Sequence, residues 1–294
     1  MIISLEHPWP GDGAQVTEVE NVPITKIQEL NMSVWNQQLH LSVREGDSAS
    51  VERLIGAGAN INHMFYGWTP LQLAINLGQE EIAILLVNRG CDINVQDKNN
   101  VSPFEDAVNK RLCKVVAVLL EKGVDPDQLL TDGHTALCRT AVWDDQQLAK
   151  VLITGKATVD FRSDNGDVPL FVAAREGHSR LAQILLEAGA DCNITCKEAG
   201  LQTPIIVSAS HDHTDVIRVL LKFNCDVNAQ DSDGWTALWH AYSNSSTDIM
   251  RLLLKSGADK NITNVDGHTI LDEAKLSEDE DMVEILKKFG QSWT

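Results

Sequence analysis

Basic residues are scarce in this chain of 294 residues, which carries 24 Lys and Arg against 42 Asp and Glu and has a formal net charge of −18. Nucleic acids and anionic membrane surfaces require clustered Lys and Arg, so this balance argues against both as partners. Long apolar runs are also lacking. The run from Val115 to Leu120 is among the longest, whereas a bilayer span needs roughly 20 apolar residues. We therefore expect no nucleic-acid partner and no insertion into a membrane.

The N-terminal sequence lacks the basic start and following apolar stretch of a secretory signal. The six Cys residues lack the paired spacing of a zinc site, and free thiols are the rule in reducing compartments. We therefore expect a cytoplasmic or nuclear protein with free thiols. The hydrophobic content of 43% suffices for a large core and excludes global disorder.

An internal repeat organises most of the chain. Its first landmark is the dipeptide Thr69-Pro70, and equivalent pairs recur at intervals of 33 residues, with one interval of 35 (203 minus 168). These pairs begin at Ser102, Thr135, Val168, Thr203, Thr236 and Thr269. The second landmark is an Asn or Asp found 25 positions after each pair but the last, at Asn94, Asp127, Asp160, Asn193, Asn228 and Asn261. An earlier unit, from Gln37 to Asn62, lacks the Thr-Pro.

Each unit predicts two short helices. Thr or Ser can cap the first helix, and Pro is tolerated at its first position. The second helix carries adjacent apolar pairs one turn apart, such as Ile82-Ala83 and Leu86-Val87, which form one helix face. Gly usually follows, where a left-handed residue ends a helix, and Lys156 is a local departure. A single unit cannot bury its apolar face alone, so we expect stability only as a stack.

The repeats resemble the ankyrin family. Gly67-Trp68-Thr69-Pro70-Leu71, Gly177-His178 and Gly189-Ala190-Asp191-Cys192-Asn193 each match a piece of its pattern, and the resemblance covers about residues 34–290. It implies an all-α solenoid of stacked helix-turn-helix units with β-turn fingers. In the ankyrin family, the His of a Thr-Pro-Leu-His segment forms hydrogen bonds between neighbouring units. These hydrogen bonds do not carry over directly to this chain, because only its first unit has His in that position, which we call the His slot. The slot holds His40, Gln72, Glu105, Cys138, Phe171, Ile206, Trp239 and Asp272.

The period divides the chain into a partly irregular N-terminal arm (1–33), an N-terminal capping repeat (34–64), six repeats (65–265) and a C-terminal capping repeat (266–294). Ile24, Ile27 and Leu30 have helical spacing and predict a short packing helix in the arm. Polar and acidic stretches in the first and last units are typical of solenoid caps. Little sequence follows the last unit, and we expect no appended effector module.

No residue set predicts catalysis, a cofactor site or a metal site. The segment Asp231-Ser232-Asp233-Gly234 superficially resembles a calcium loop, but Ala229 and His240 would occupy its first and twelfth ligand positions. His211 and His213 are the closest His pair, and a metal needs more ligands. Asn94, Asn193 and Asn228 resemble substrates of an asparaginyl hydroxylase, although a turn role explains an Asn in these positions.

The resemblance implies that a protein partner docks on the concave face, which the finger tips and the exposed edge of the first helices form. Aromatic and Arg side chains anchor interfaces best. The cluster of Phe65, Tyr66 and Trp68 with Leu77, together with Trp143, is the leading site; a Trp before the Thr anchor also packs on its neighbouring finger. The predicted contact residues are Phe65, Tyr66, Trp68, Leu77, His134, Trp143, Arg175, His211 and Trp235.

These observations predict a non-enzymatic scaffold or adaptor that is monomeric alone. Two alternatives stay open at this point. One is a substrate-recognition subunit of a ubiquitin ligase, which would need residues 1–33 to dock the ligase or a longer chain. The other is an assembly chaperone resembling the proteasome-associated ankyrin protein, which is almost entirely repeats.

Overall fold

The computed structural model describes residues 24–288, and within them the chain folds into sixteen helices without a strand. Odd-numbered helices begin the units and even-numbered helices complete them, which gives eight helix pairs. The helices are α1 Ile24–Glu45, α2 Ser48–Gly56, α3 Pro70–Asn76, α4 Glu80–Asn88, α5 Pro103–Asn109, α6 Cys113–Glu121, α7 Ala136–Trp143, α8 Gln146–Thr154, α9 Pro169–Arg175, α10 Ser179–Glu187, α11 Pro204–Ser210, α12 Thr214–Lys222, α13 Ala237–Ser243, α14 Thr247–Lys255, α15 Ile270–Leu276 and α16 Glu280–Lys288.

The repeated Thr or Ser starts the odd-numbered helices as expected. The hydroxyl of Thr69 accepts a hydrogen bond from the backbone N–H of Gln72 at 3.2 Å, and the Gln72 side chain accepts from the backbone N–H of Thr69 at 3.0 Å. This reciprocal capping box satisfies two amides that the helix cannot satisfy itself. Val168 and Thr203 make no side-chain cap bond, but Pro169 and Pro204 follow them in the first turn and have no backbone N–H that needs an acceptor.

Helices of adjacent units pack in two rows. The odd-numbered helices α7, α9, α11 and α13 pack in succession, and the even-numbered helices do so from α2 to α12. Side chains such as Ile82, Leu86 and Leu119 lie fully or almost fully buried between them. The predicted all-α solenoid is therefore confirmed. None of the helices described has the length and apolar character that crossing a bilayer requires.

Finger turns join the units, as predicted. In the finger before α13, the backbone N–H of Asp231 donates to the carbonyl of Trp235 at 3.0 Å, and the Asp231 side chain accepts from the Trp235 N–H at 2.8 Å. Six further fingers precede α3, α5, α7, α9, α11 and α15. We number the seven fingers in chain order, so that residues 231–235 form the sixth and residues 264–268 the seventh.

The second landmark of the repeat links one unit to the next. The Asn228 side-chain oxygen accepts a hydrogen bond from the backbone N–H of Asp259 at 2.7 Å, and Asn193 accepts from Asp226 at 2.8 Å. Asp127 accepts from the N–H of Thr158 at 2.8 Å in the same way. These bonds form a ladder of side-chain oxygens along the array. The landmark therefore fixes the spacing of units as well as shaping a turn.

The helix α1 extends further towards the N-terminus than one repeat requires. It runs for 22 residues from Ile24 to Glu45 without a break, so the proposed boundary between residues 33 and 34 falls inside one helix. The expected short packing helix of the arm is the first part of α1, since no Gly or Pro separates Ile24 from Glu45. The rest of the arm, residues 1–23, and residues 289–294 of the last capping repeat lie outside the described residues.

Several different residues replace the expected His in its slot and still link a helix to the following finger. His40 Nε2 lies 2.7 Å from the carbonyl oxygen of His63, and Gln72 Nε2 donates to the carbonyl of Val95 at 2.9 Å. Trp239 Nε1 donates to the carbonyl of Ile262 at 3.4 Å. Losing the His therefore does not remove these links. In the slots of the fifth and sixth units, Phe171 and Ile206 are buried and rely on apolar packing.

Glu105 occupies the same slot and forms a buried ionic network between the third and fourth units. Its carboxylate accepts from Arg139 Nη2 at 2.9 Å and from the backbone N–H of Thr131 at 3.0 Å. Arg139 also donates to Asp132 at 3.0 Å and to Asn109. The α5 and α7 backbones approach each other less closely than those of α7 and α9. A polar network thus supplements, in the row of odd-numbered helices, the apolar packing of α6 against α8 at this junction.

Arg139→Met should strongly destabilise the protein, because Glu105 would keep a buried charge without its guanidinium. Removing one partner of a buried pair costs about 3–5 kcal/mol. The double variant Glu105→Gln/Arg139→Met should recover most of that loss, since Gln72 already fills this slot in the second unit. Urea unfolding followed by far-UV circular dichroism measures both. Equal stability of Arg139→Met and the unmodified protein would contradict the assignment.

Lys156→Gly should stabilise the protein. Lys156 has a φ of 70°, in the slot where Gly189 has a φ of 95°. A left-handed conformation costs a residue with a side chain about 1–2 kcal/mol, and the greater freedom of Gly in the unfolded chain offsets part of this. We expect a net gain of about 0.5–1 kcal/mol.

The matched control for this prediction is the reverse exchange, Gly189→Lys, which should destabilise the protein by a similar amount. Open space surrounds the Cβ that a side chain would add at Gly189, so backbone strain alone should act there. Urea unfolding midpoints measure both variants. A lower midpoint for Lys156→Gly would contradict the strain argument.

Candidate protein-binding surface

The finger turns and the odd-numbered helices together present one long surface, which we call the finger face. The nine predicted contact residues lie along this face in separate groups. Four belong to the second unit, three to the fourth and fifth units, and two to the sixth and seventh units. The structure therefore does not bring them together in one compact site, and an extended contact along several units is the only way to engage them all.

The first finger carries the most exposed aromatic side chain of the predicted set. Phe65 and Trp68 pair through two backbone hydrogen bonds of 2.9 and 3.2 Å, and Tyr66 and Gly67 form the turn between them with φ of 52° and 81°. Tyr66 is 72% exposed, and its ring meets Phe65 edge to face at 4.6 Å between centroids. This tight hairpin holds the Tyr66 ring in the solvent.

Leu77 follows α3, whereas the first finger precedes it, so the two lie at opposite ends of a helix about 10 Å long. The Leu77 side chain is 44% exposed. Trp68 is half-buried, so less of its side chain is exposed to solvent than that of Tyr66. The second unit therefore exposes one large apolar side chain near each end of α3, Tyr66 and Leu77.

The predicted contact residues of the fourth and fifth units already make polar contacts within the protein; they are His134, Trp143 and Arg175. His134 Nε2 lies 3.9 Å from the Asp167 carboxylate, and Arg175 Nη1 donates to the same carboxylate at 3.4 Å. Arg175 also pairs with Glu176 at 3.1 Å. Trp143 is half-buried, and the guanidinium of Arg111 lies 5.2 Å from the centre of its ring. A partner would compete with these contacts rather than meet free groups.

His211 is exposed at the end of α11 and stacks on His213, with ring centroids 6.0 Å apart and an interplanar angle of 15°. His213 Nε2 lies 2.9 Å from the carbonyl oxygen of Arg175, which ties it to the preceding unit. Among the described residues, no three His, Cys, Asp or Glu side chains form a group able to hold a metal ion.

Trp235 belongs to an aromatic cluster that the sequence-based selection missed. Its ring stacks on Trp239 with centroids 5.6 Å apart, and Trp239 meets Tyr242 edge to face at 6.4 Å. His240 packs against the edge of Trp235 and lies 2.8 Å from the Asp231 carboxylate. Trp239 and Tyr242 lie three residues apart on one face of α13, and Trp235 directly precedes the capping Thr236; three aromatic residues this close in the sequence were the signal that could have revealed the cluster.

Asp106 is the described carboxyl group with the largest upward pKa shift. Burial is the main cause that raises its pKa to about 6; the carboxylates of Asp97 and Glu105 contribute to the rise, and Lys110 opposes it. Its Oδ2 atom is buried and accepts no hydrogen bond from the protein. Asp106 is therefore a partly buried carboxyl group whose ionised form is only partly stabilised, by Lys110.

The six cysteines, all within the described range, are free thiols. Burial raises the pKa of Cys91 to about 12, so this thiol is not a nucleophile at neutral pH. Among the Asn residues considered for hydroxylation, Asn193 and Asn228 use their side-chain oxygens in the ladder between units. Their turn and spacing roles account for these residues, and hydroxylation stays a prediction.

Stacked helix pairs, one long finger face and exposed aromatic groups define a helical repeat protein that offers an extended contact surface. A family model described as ankyrin repeats (3 copies) matches residues 39–129, 104–196 and 194–264. These matches cover more than half of the chain, which belongs to the ankyrin repeat family. Its fold is a typical non-enzymatic interaction domain, and ankyrin repeats generally mediate protein–protein interactions.

Similar proteins differ in overall size. The chain is 31% identical to the nuclear factor NF-kappa-B p105 subunit of Gallus gallus, over 57% of this chain and 18% of that protein. It is 28% identical to Rabankyrin-5 of Homo sapiens, over 71% of this chain and 21% of that protein. The chain thus spans about a fifth of the length of these curated relatives.

Two solved structures have a similar fold. The ankyrin repeat domain of Bcl-3, described as a unique member of the IkappaB protein family, aligns with a TM-score of 0.65 and 28% identity, over 70% of this chain and 93% of that one. The ankyrin repeat protein EF0377 aligns with a TM-score of 0.58 and 27% identity, over 63% of this chain and 96% of that one.

Asp106→Asn should stabilise the protein at neutral pH. The folded pKa of about 6 lies above the ordinary 3.8, so the folded state holds its proton more tightly. The contribution of Asp106 is therefore fully present below about pH 4 and is lost as the pH rises through about 6. We expect Asp106→Asn to gain about 1–3 kcal/mol at about pH 8, and this gain should vanish below about pH 4.

Urea unfolding midpoints of both proteins between about pH 4 and pH 8 measure this effect. Asp233→Asn, at an exposed position of the sixth finger, is the matched control and should leave the midpoint unchanged. A pH-independent difference between Asp106→Asn and the unmodified protein would show that packing, not charge, causes it.

Proposed function

We propose that this chain is a non-enzymatic scaffold or adaptor whose protein partner docks along the concave face, which is the finger face of this structure. The mechanism is docking alone, with no bond made or broken. A cytoplasmic or nuclear location and a monomeric state without the partner belong to the same proposal. The ubiquitin-ligase and assembly-chaperone alternatives differ from it in the identity of the partner.

The observation that carries the proposal is the display of Tyr66 on the first finger. Its side chain is 72% exposed, although the ring meets Phe65 edge to face, and its backbone has a φ of 52°, which is unfavourable for an aromatic residue. Backbone strain of this kind concentrates at functional sites. Leu77 exposes a second apolar side chain in the same unit, and exposed aromatic groups are the best interface anchors.

The double variant Tyr66→Ala/Leu77→Ala should weaken capture of the natural partner by about tenfold or more, since a central anchor contributes about 2 kcal/mol or more. The matched control, Val118→Ala/Val219→Ala, trims half-buried apolar side chains on the even-numbered helices α6 and α12, outside the finger face, and should leave capture intact. Tagged protein, native lysate and quantitative mass spectrometry provide the measurement.

Trp143 is a poorer choice for this test, although it remains a predicted contact. It is half-buried and carries Arg111 on its ring, so its removal would disturb the fold as well as the surface. Both double variants should retain the far-UV spectrum of the unmodified protein. Undiminished capture by Tyr66→Ala/Leu77→Ala would refute the second unit as the docking site.

A further inference from the structure

The aromatic cluster of the seventh unit lines a pocket that opens on the finger face between the sixth and seventh fingers. Its volume is about 250 Å³. Trp235 and Tyr242 are half-buried and Trp239 is buried beneath them. The lining residues are Trp235, Trp239, Tyr242, Asp266, His268 and Glu273, with Ser243 and Asn264.

Two carboxylates share this pocket with the aromatic rings. Asp266 is exposed at the tip of the seventh finger, and the Glu273 side chain is 39% exposed. Glu273 Oε2 lies 3.8 Å from His268 Nδ1, and the carboxylate has no cationic Lys or Arg partner among the described ion pairs. The formal net charge of −18 adds a long-range attraction for cations. The pocket therefore combines aromatic surface with two carboxylates that pair with no Lys or Arg among the described ion pairs.

We propose that this pocket receives an arginine side chain of a basic segment in the protein partner. The inference rests on the proposed function and names the chemistry of the group that the finger face recognises. A guanidinium is flat and stacks on indole rings, and its fork of donors matches a carboxylate. An ammonium group would gain the charge interaction without the flat stacking contact. An uncharged side chain would gain neither.

The fold does not require an aromatic residue at the mouth of the pocket. The position of Trp235, immediately before the helix-capping residue, holds His134, Asp167 and Gln202 in other units of the same array. Trp68 shares this position in the second unit, but the three polar residues show that the repeat folds without an indole there. Trp235→Gln places in the sixth finger a residue that the fifth finger already carries, so the variant should fold.

The test is fluorescence anisotropy of a labelled Gly-Ser peptide that carries three arginines, titrated with the full chain at about 50 mM salt, where charge interactions are weakly screened. Two companion peptides replace arginine with lysine or with citrulline, which has the same shape and no charge. We expect the arginine peptide to bind about fivefold more tightly than the lysine peptide and about twentyfold more tightly than the citrulline peptide.

Two sets of variants locate the binding. Trp235→Gln and the isosteric pair Asp266→Asn/Glu273→Gln should each weaken binding of the arginine peptide by about tenfold. The control pair Asp248→Asn/Glu280→Gln removes the same charge from exposed positions at the start of α14 and α16 and should change binding by less than about twofold. Urea midpoints establish that every variant is folded. If the urea midpoint shows that Trp235→Gln is destabilised, the comparison of the two carboxylate pairs alone tests the proposal.

Three results would overturn the proposal: equal affinity for the arginine and lysine peptides, equal weakening by both carboxylate pairs, or no weakening by the pocket pair. The titration needs no natural partner, so its failure leaves the docking proposal for the second unit standing. Loss of partner capture in Tyr66→Ala/Leu77→Ala, with an unchanged peptide affinity, would show that the two sites act separately.

Discussion

Burial of apolar side chains between neighbouring units is the constraint on which the rest of this protein depends. A pair of helices of seven to nine residues has too little interior to be stable alone. Residues such as Leu86, Leu119 and Leu185 become inaccessible to water only within the stack. The exposed side chains of the finger face do not have to contribute to this burial, because the two rows of helices already stabilise the framework that carries them. Surface chemistry can therefore vary from unit to unit while the array remains one fold.

The fold was largely predictable from the sequence because the same physical signals recur in every unit. The Thr-Pro pairs marked the helix starts, and even the exceptional Lys156 adopts the left-handed conformation that its position in the period requires. The replaced His slot was less predictable. Gln72 and Trp239 have different shapes but each offers one N–H in the right place, and only the packed structure shows that this is sufficient. The continuity of α1 across residue 33 depends on the absence of a breaker, which is a weak signal.

The candidate site was less predictable than the fold, because side chains that meet in space belong to separate units. Selecting exposed aromatic positions one by one found Trp235 but not its stack on Trp239 or the carboxylates of Asp266 and Glu273. It also selected Arg175 and Trp143 as partner contacts. In the structure, Arg175 already donates a hydrogen bond to Asp167, and the guanidinium of Arg111 lies over the ring of Trp143. The finger face consequently changes character along its length, from exposed apolar side chains in the second unit, through ion pairs in the fourth and fifth units, to an acidic aromatic pocket in the seventh.

The ladder of Asn and Asp oxygens also bears on how such a surface can evolve. The bond from Asn193 to Asp226 closes over 33 residues, whereas the neighbouring bonds from Asp160 to Asp191 and from Asn228 to Asp259 close over 31. The two additional residues are accommodated in the fifth finger, and the bond retains a length of 2.8 Å. Insertions in a finger are thus isolated from the register of the helices. Natural variation can lengthen or diversify the fingers one at a time, without compensating substitutions in the helices behind them.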